Sequence, residues 1–444
     1  MSSLCDPVRD EPTLDTSQTE IDMSELPGRI DAVVIGAGQA GLTMSWYLRQ
    51  AGREHIVLER RDRLGGAWQD RWDAFRLVSP NWTASFPGWE YDGNDPDGYM
   101  PRDEIAGRVA RYAEVIDAPV HLAAAVERLQ LRTHGGGGFR LTTTGGAVDA
   151  AQVFVATGGF QIPNIPSTSV GLSARVLQLH SHVYRSQAAL PDGAILVVGS
   201  AQSGVQIAEE LHEAGRRVYL SVGHCGRVPR RYRGSDIFHW LWNLRTRGHE
   251  FGTSLPTVDK LPDPRLRFAC NPHLSGHRGG HDTNLRRMAA EGISLVGRFE
   301  DADGERVRVA QDLAANLQFA DRFFDEQWRG RIDTFIERAG IDASPDDRQP
   351  FSFHPPEVAE LDLAAEGIST VIWTSGYRLD FSWIDLPIFD AQGAPRHVRG
   401  VTEVPGLYFL GIPWLIDQGS ATLFGVGRDA AHLAERLEAP ATTA

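Results

Sequence analysis

Apolar runs of a few residues recur along this chain, and two of them are followed by glycines and then by a stretch of helical periodicity. The first run is Ile30–Ile35. It shows no apolar–polar alternation, which predicts a strand of a parallel sheet buried on both faces. Gly36-Ala-Gly38-Gln39-Ala-Gly41 follows, then a helix carrying Leu42, Trp46, Tyr47 and Leu48 and ending near Gly52. A short run, His55–Leu58, completes a strand–helix–strand unit and ends at Glu59. The same order returns later: a strand Ala194–Val198, the loop Gly199-Ser200-Ala201-Gln202-Ser203-Gly204, a helix Val205–Glu213 and a strand Arg217–Val222. Further strands are expected at Gln152–Val155, around Val371 and at Gly406–Leu410. Further helices are expected at Val309–Phe324, at Ile332–Ala339 and from Gly419–Gly425 to about Leu437.

The glycines give these units a chemistry. In a strand–GxGxxG–helix unit the first glycine permits the tight turn and the second lets the backbone approach a pyrophosphate. The third lets helix and strand pack closely. The helix N-terminus offers free N–H groups and the positive end of its dipole to the phosphates. Glu59 lies 23 residues after Gly36, where an acid can accept from a ribose hydroxyl. The second unit departs from this pattern. Ala201 stands at the middle glycine position, and the following strand ends at Ser221 with no acid. The loop after it carries Arg227, Arg230, Arg231 and Arg233. Guanidinium groups suit a 2′-phosphate, so NADPH is expected over NADH, unless these arginines form a solvated basic loop. Two such units imply an α/β fold with two Rossmann-like dinucleotide domains.

Composition narrows the class. The chain has 444 residues, enough for two or three domains, and a net charge of −14, which disfavours a nucleic-acid partner. No apolar run approaches the roughly 20 residues that span a bilayer. The polar, acidic residues 1–28 are expected to be a disordered tail, and a cytoplasmic location is the default. Cys5, Cys225 and Cys270 are far apart in sequence and form no CxxC pair, which excludes the simplest disulfide-reductase reading. His273, His277 and His281 are spaced four apart, but Gly276, Gly279 and Gly280 break any helix that would align them, so no metal site is expected.

Arg63-Leu-Gly-Gly66-Ala-Trp68 follows the acid, and Ala156-Thr157-Gly158-Gly follows a strand. A similar strand-then-turn, Val371-Ile-Trp-Thr-Ser-Gly376, comes late, and Gly411-Ile-Pro-Trp414 follows the last strand. With both loops in register, the chain resembles the class B flavin monooxygenases, which include flavin-containing N- and S-oxygenases, YUCCA enzymes and Baeyer–Villiger enzymes. It is most similar to the CzcO-like bacterial flavoproteins. The resemblance covers roughly Ile30 to Leu437. It implies an FAD domain, residues 29–165 and 368–440, interrupted by an NADPH domain, 166–367, that includes an insertion covering the substrate cavity. FAD would be held by Gly36, Gly38, Gln39, Gly41, Glu59, Arg60, Gly66, Trp68, Thr157, Gly158, Gly411, Ser420 and Leu423. NADPH would be held by Gly199, Ser200, Gln202, Ser203, Gly204, Ser221, Arg227 and Arg230.

The resemblance also implies a reaction. NADPH reduces FAD, O2 adds to form a C4a-(hydro)peroxyflavin, and a small organic substrate is oxygenated. The family's FxGxxxHxxxW linker falls on Ala174 to Tyr184, with His180 and the terminal aromatic kept but Ala174 and Val176 replacing Phe and Gly. That departure favours oxygenation at nitrogen or sulfur over Baeyer–Villiger insertion. His180 would shape domain closure, or be a plain hydrogen-bonded hinge. Asn81 would hydrogen-bond near the flavin's reactive edge, or form a turn with Pro80. An NAD(P)H:acceptor oxidoreductase without oxygen insertion remains the alternative, and a homodimer is compatible with the family.

Overall fold

The computed structural model describes residues 26–132 and 137–437. Most of the expected tail, with Cys5, lies outside them. The chain builds two parallel-cored sheets. In the first, β1 (Arg29–Ile35) is followed by α1 (Gln39–Gln50) and β2 (His55–Leu58). Helix α2 (Arg102–Val115) leads to the short β3 (Val120–His121). A hairpin of β4 (Val126–Leu131) and β5 (Phe139–Thr143) comes next, then β6 (Gly146–Val155). Ten-residue β6 serves two partners. Its first half pairs antiparallel with β5, as Phe139↔Ala150, and its second half parallel with β1, as Val33↔Val153. Leu407–Phe409 then pairs parallel on the other side of β6. Val33, Val34, Val57 and Val153 are wholly buried, which explains their unbroken apolar runs.

The chain leaves the first sheet through β7 (Ile162–Pro163) and enters the second with β8 (Leu177–His180). Strand β9 (Ala194–Val198), α3 (Gln202–Glu213) and β10 (Val218–Ser221) repeat the first unit. The second sheet runs in the order 294–296, β10, β9, 368–373, β8, all parallel. The expected return to the first domain at residue 368 is therefore corrected. Ile368–Trp373 lies inside the second sheet, with Trp373 opposite both Val198 and His180. Its run Ile-Ser-Thr-Val-Ile-Trp is buried on both faces, so it belongs to a sheet centre and not to a linker. The return follows it, at Tyr377–Arg378, which pairs antiparallel with β7. The two crossover segments thus form one two-stranded ribbon.

The second sheet's outer face packs on an antiparallel sheet of 299–303, 306–309 and 360–362 through Leu196, Phe299, Val307 and Trp373. Val309 ends one of these strands, so the expected Val309–Phe324 helix starts only at Leu313. The helix expected at Ile332–Ala339 is present as Gly330–Ala339. A third core, built on Trp240, Leu244, Phe335 and Ile336, carries the helix Ile237–Thr246.

Candidate functional site

Both glycine loops sit at the carboxyl ends of the central strands, where open α/β sheets bind ligands. In the first, a Cβ on Gly41 would lie 1.7 Å from the Gly36 carbonyl oxygen, so helix and turn touch as no larger residue allows. Helix α1 starts with Gly38 as its N-cap, without a capping side chain and without an acid in its first turn. Its first N–H groups are thus left for a ligand. By contrast, Asp236 and Asn284 cap the helices that follow them. Glu59 is buried at the end of β2, with one carboxylate oxygen accepting from Ala37 N–H at 2.8 Å and the other from Arg61 N–H at 3.0 Å. It fixes the loop, and each of its oxygens keeps a further lone pair.

Gln39 knits the cradle together. Its amide nitrogen donates to the Ala421 carbonyl at 2.9 Å, and its oxygen accepts from Trp68 Nε1 at 3.1 Å. Gly66 lies against Gly38, where a Cβ would come 3.1 Å from the Gly38 Cα, and a Cβ on Gly411 would come 2.5 Å from that of Ala40. Gly36, Gly38, Gln39, Gly41, Glu59, Gly66, Trp68 and Gly411 therefore converge. Leu423 opens the helix Leu423–Ala434, which also lacks a capping side chain. Ser420 is buried, and its hydroxyl accepts from Ile416 and Asp417 N–H at 2.9 and 3.1 Å, so it shapes the turn before that helix. Arg60 is exposed beside the loop. Thr157 accepts from the Gln161 amide at 3.0 Å, and Gly158 has open space beside it.

The second loop repeats the first in detail. A Cβ on Gly204 would lie 1.9 Å from the Gly199 carbonyl oxygen. Ala201 has φ −73° and ψ −173°, against −79° and −176° for Gly38, so its methyl group introduces no backbone strain. Helix α3 is likewise uncapped by a side chain and free of early acids. Gln202, in the place of Gln39, clamps a neighbouring segment in the same way. Its oxygen accepts from Leu274 N–H at 3.0 Å and its nitrogen donates to the Leu274 carbonyl. The Ser200 hydroxyl accepts from Gly223 N–H at 3.1 Å. Ser203 lies in the first turn of α3, half-buried.

Two expected NADPH contacts are corrected by their surroundings. The Ser221 hydroxyl donates to the Gly297 carbonyl at 3.0 Å and accepts from Phe299 N–H at 2.9 Å, so it is spent inside the sheet. Arg230 is buried, donating to Val78 O and to Asp236, each at 2.7 Å, with the Tyr99 ring 4.8 Å from its guanidinium carbon. It ties the second domain to the first and is not presented to a phosphate. Arg233 pairs with Asp333 at 2.7 Å. Arg227, 3.1 Å from Asp321, keeps partial exposure.

Asn81 uses both ends of its amide on backbone, donating to Asp95 O at 2.9 Å and accepting from Met100 N–H at 2.6 Å. These bonds favour the turn reading and anchor the 95–100 loop. His180 ends β8 with Nε2 donating to Gly376 O at 2.9 Å and Nδ1 accepting from His182 N–H at 3.1 Å. Burial pushes its pKa down to about 4, so it is neutral and pins the crossover ribbon. His273 is fully buried, whereas His281 reaches Glu209 at 2.6 Å, and no metal-binding cluster occurs among the described residues.

Sequence reading missed a buried charge network. Arg245, from helix Ile237–Thr246, reaches Asp417 at 3.2 Å and Asp429 at 3.6 Å beneath the first turn of Leu423–Ala434, and Arg428 reaches Asp417 at 2.6 Å. Desolvation pushes the Asp429 carboxyl up to about 7. An acid inside the apolar helix LFGVGRDAAHLA was the available signal.

Comparisons with known proteins agree with this geometry. Residues 33–235 match the family described as pyridine nucleotide-disulphide oxidoreductase. A CzcO-like uncharacterized oxidoreductase of Geobacillus kaustophilus is 34% identical over 408 residues, 91% of this chain and 97% of the relative. The chain belongs to the CzcO-like oxidoreductases. The oxidoreductase is also 28% identical to the indole-3-pyruvate monooxygenase YUCCA1 of Oryza sativa, over 47% of this chain and 51% of the relative. A flavin-containing monooxygenase from Stenotrophomonas maltophilia shares its fold at a TM-score of 0.60 with 21% identity, covering 92% of this chain and 98% of that one. No helix among the described residues is long and apolar enough to cross a membrane.

Proposed function

We propose that this oxidoreductase is an NADPH-dependent FAD monooxygenase that oxygenates a small organic substrate at nitrogen or sulfur. The observation that carries the proposal is the pair of matching, uncapped pyrophosphate loops joined by one crossover ribbon. The first loop fits FAD: the Gly38–Gly66 approach leaves a cradle that a side chain would fill, and Glu59 stands ready for a ribose. The second loop suits NADP. No acid ends β10, and partly exposed Arg227 and exposed Arg231 are the guanidiniums left for a 2′-phosphate.

FAD, when bound, supplies the hydride-accepting and oxygen chemistry, and the protein supplies orientation and exclusion of water. Helices α1 and α3 neutralise the two pyrophosphates with their first N–H groups. Gln39 and Gln202 hold the flanking segments in place. His180 and the ribbon set how the two domains meet, and Arg245 anchors the insertion to the helix beginning at Leu423. The loss of the linker's Phe and Gly at Ala174 and Val176 supports oxygenation of a soft nucleophile over Baeyer–Villiger insertion.

The test is turnover with NADPH under 18O2, offering thioethers, tertiary amines and ketones in parallel. One labelled oxygen atom should appear in a sulfoxide or N-oxide. Label found only in an ester or lactone would overturn the nitrogen-or-sulfur assignment. NADPH consumption that needs no O2 and proceeds with a quinone would overturn the oxygenase reading.

A further inference from the structure

Cys225 and Cys270 are 45 residues apart in sequence, yet the fold sets them side by side. The loop after β10 and the segment ending at His273 run parallel, with Arg227 bridged to His273 and His273 N–H donating to Gly226 O at 3.0 Å. Carrying that register back two residues places Cys225 opposite Asn271, so Cys270 is its diagonal neighbour. The sulfur contacts agree with this placement. Cys225 Sγ lies 3.6 Å from the Asn271 carbonyl oxygen, and Cys270 Sγ lies 3.9 Å from that of His224. A regular strand pair would turn such diagonal neighbours to opposite faces, but neither cysteine lies in a strand, and their side chains hydrogen-bond each other, which brings the two sulfurs within reach of a disulfide.

The two thiols differ in the way a reactive pair requires. Cys225 is buried and Cys270 is exposed. Their mutual hydrogen bond holds the Cys270 thiol below its ordinary range and, with burial, pushes the Cys225 thiol up. A lowered, accessible thiol beside a second thiol has the character of an attacking and a resolving cysteine. The site is also tied to the second glycine loop and to the turn before the last helix. Gln202 grips Leu274, and Gln418, from the turn before the helix Leu423–Ala434, donates to Asn271 Oδ1 at 3.1 Å.

We propose that Cys225 and Cys270 form a thiol–disulfide site oxidised by a hydroperoxide. The Cys270 thiolate attacks the peroxide oxygen. An S–O bond forms, the O–O bond breaks, and one water leaves after protonation. The Cys225 sulfur then attacks Cys270, the S–S bond forms, the S–O bond breaks, and a second water carries off the oxygen and the thiol proton. Two thiols lose two electrons and two protons, and hydrogen peroxide becomes two waters. This proposal stands independently of the oxygenase reading, because the oxidant is added from outside.

The test uses the full chain, reduced, freed of reductant and exposed to one equivalent of hydrogen peroxide. It is then alkylated and mapped without reduction. A peptide pair joined through Cys225 and Cys270, lighter by two hydrogens and released by dithiothreitol, is expected. In Cys225→Ser the exposed Cys270 should instead be trapped by dimedone as a sulfenic acid, and in Cys270→Ser neither product should form. Circular dichroism of both variants confirms that they fold. Unchanged alkylation of both thiols, a link to Cys5, or direct conversion of wild-type Cys270 to a sulfinic acid would overturn the proposal.

Discussion

Gly41→Ala isolates the physical claim on which the FAD loop rests. The added Cβ would sit 1.7 Å from the Gly36 carbonyl oxygen, with the Gly36 carbonyl carbon at 3.0 Å and Val34 Cγ1 at 3.2 Å. A carbon–oxygen contact normally needs about 3.3–3.6 Å. Helix α1 must therefore move by about 1.5 Å or the turn must open, either of which pulls the first N–H groups off the phosphate position. Two effects oppose each other. Alanine in place of glycine improves helix propensity by about 0.8–1 kcal/mol. Overpacking a tight contact costs about 1–3 kcal/mol, and the clash is with backbone that cannot rotate away, so the cost wins. If the bound state carries about 2 kcal/mol of that cost, FAD affinity falls roughly thirtyfold. The assay is reconstitution of apoprotein with FAD, followed by flavin fluorescence quenching, beside thermal unfolding of the apoprotein. Wild-type affinity in Gly41→Ala would refute the reasoning. Ala201→Gly is the companion control: its backbone already matches Gly38, so only the methyl's bulk is removed, and folding stability should change by less than about 1 kcal/mol.

Other predictions follow from buried charge and from titration. Arg230→Leu leaves Asp236 without its buried partner and should cost about 3–5 kcal/mol in urea unfolding, which a surface phosphate reader would not. Arg227→Ala should raise the KM for NADPH and leave that for NADH nearly unchanged; equal changes in steady-state kinetics would remove it from the 2′-phosphate. The His180 pKa, pushed down to about 4, means that the unfolded chain holds a proton that the folded one lacks between about pH 6.5 and 4. Its contribution is present above that window and lost as pH falls through it. The Tm of His180→Asn should therefore fall less steeply than wild type over that range, and parallel profiles would contradict the assignment.

The dinucleotide units were legible because a sheet buried on both faces imposes an unbroken apolar run, and because Gly41 and Gly204 mark contacts that nothing larger can make. Glu59 was placed by its spacing from Gly36, and Trp68 and Gly411 by the family resemblance; the structure sets all three beside the first loop. The return point was misplaced because Val371 to Gly376 imitates Val155 to Gly158, a strand followed by a Thr- and Gly-bearing turn. Only pairing shows that one strand ends in the first sheet and the other in the second. Arg230 was misread because a loop has no periodicity to reveal direction, and its carbonyl partner Val78 lies 152 residues away. The Arg245–Asp417–Asp429 network shows in sequence only as an acid inside an apolar helix, and the cysteine pair not at all, because tertiary structure alone brings their partners together.

The most direct test of the central claim is an oxygen balance on the NADPH-reduced protein. Protein reduced without air is mixed with a known amount of O2, with and without a thioether or tertiary amine. Oxygen consumed, peroxide released and oxygenated product are then counted together. An enzyme that keeps water from the flavin and delivers oxygen to a soft nucleophile should convert the O2 to product, with little peroxide when substrate is present. Quantitative release of peroxide whatever the substrate would contradict the account.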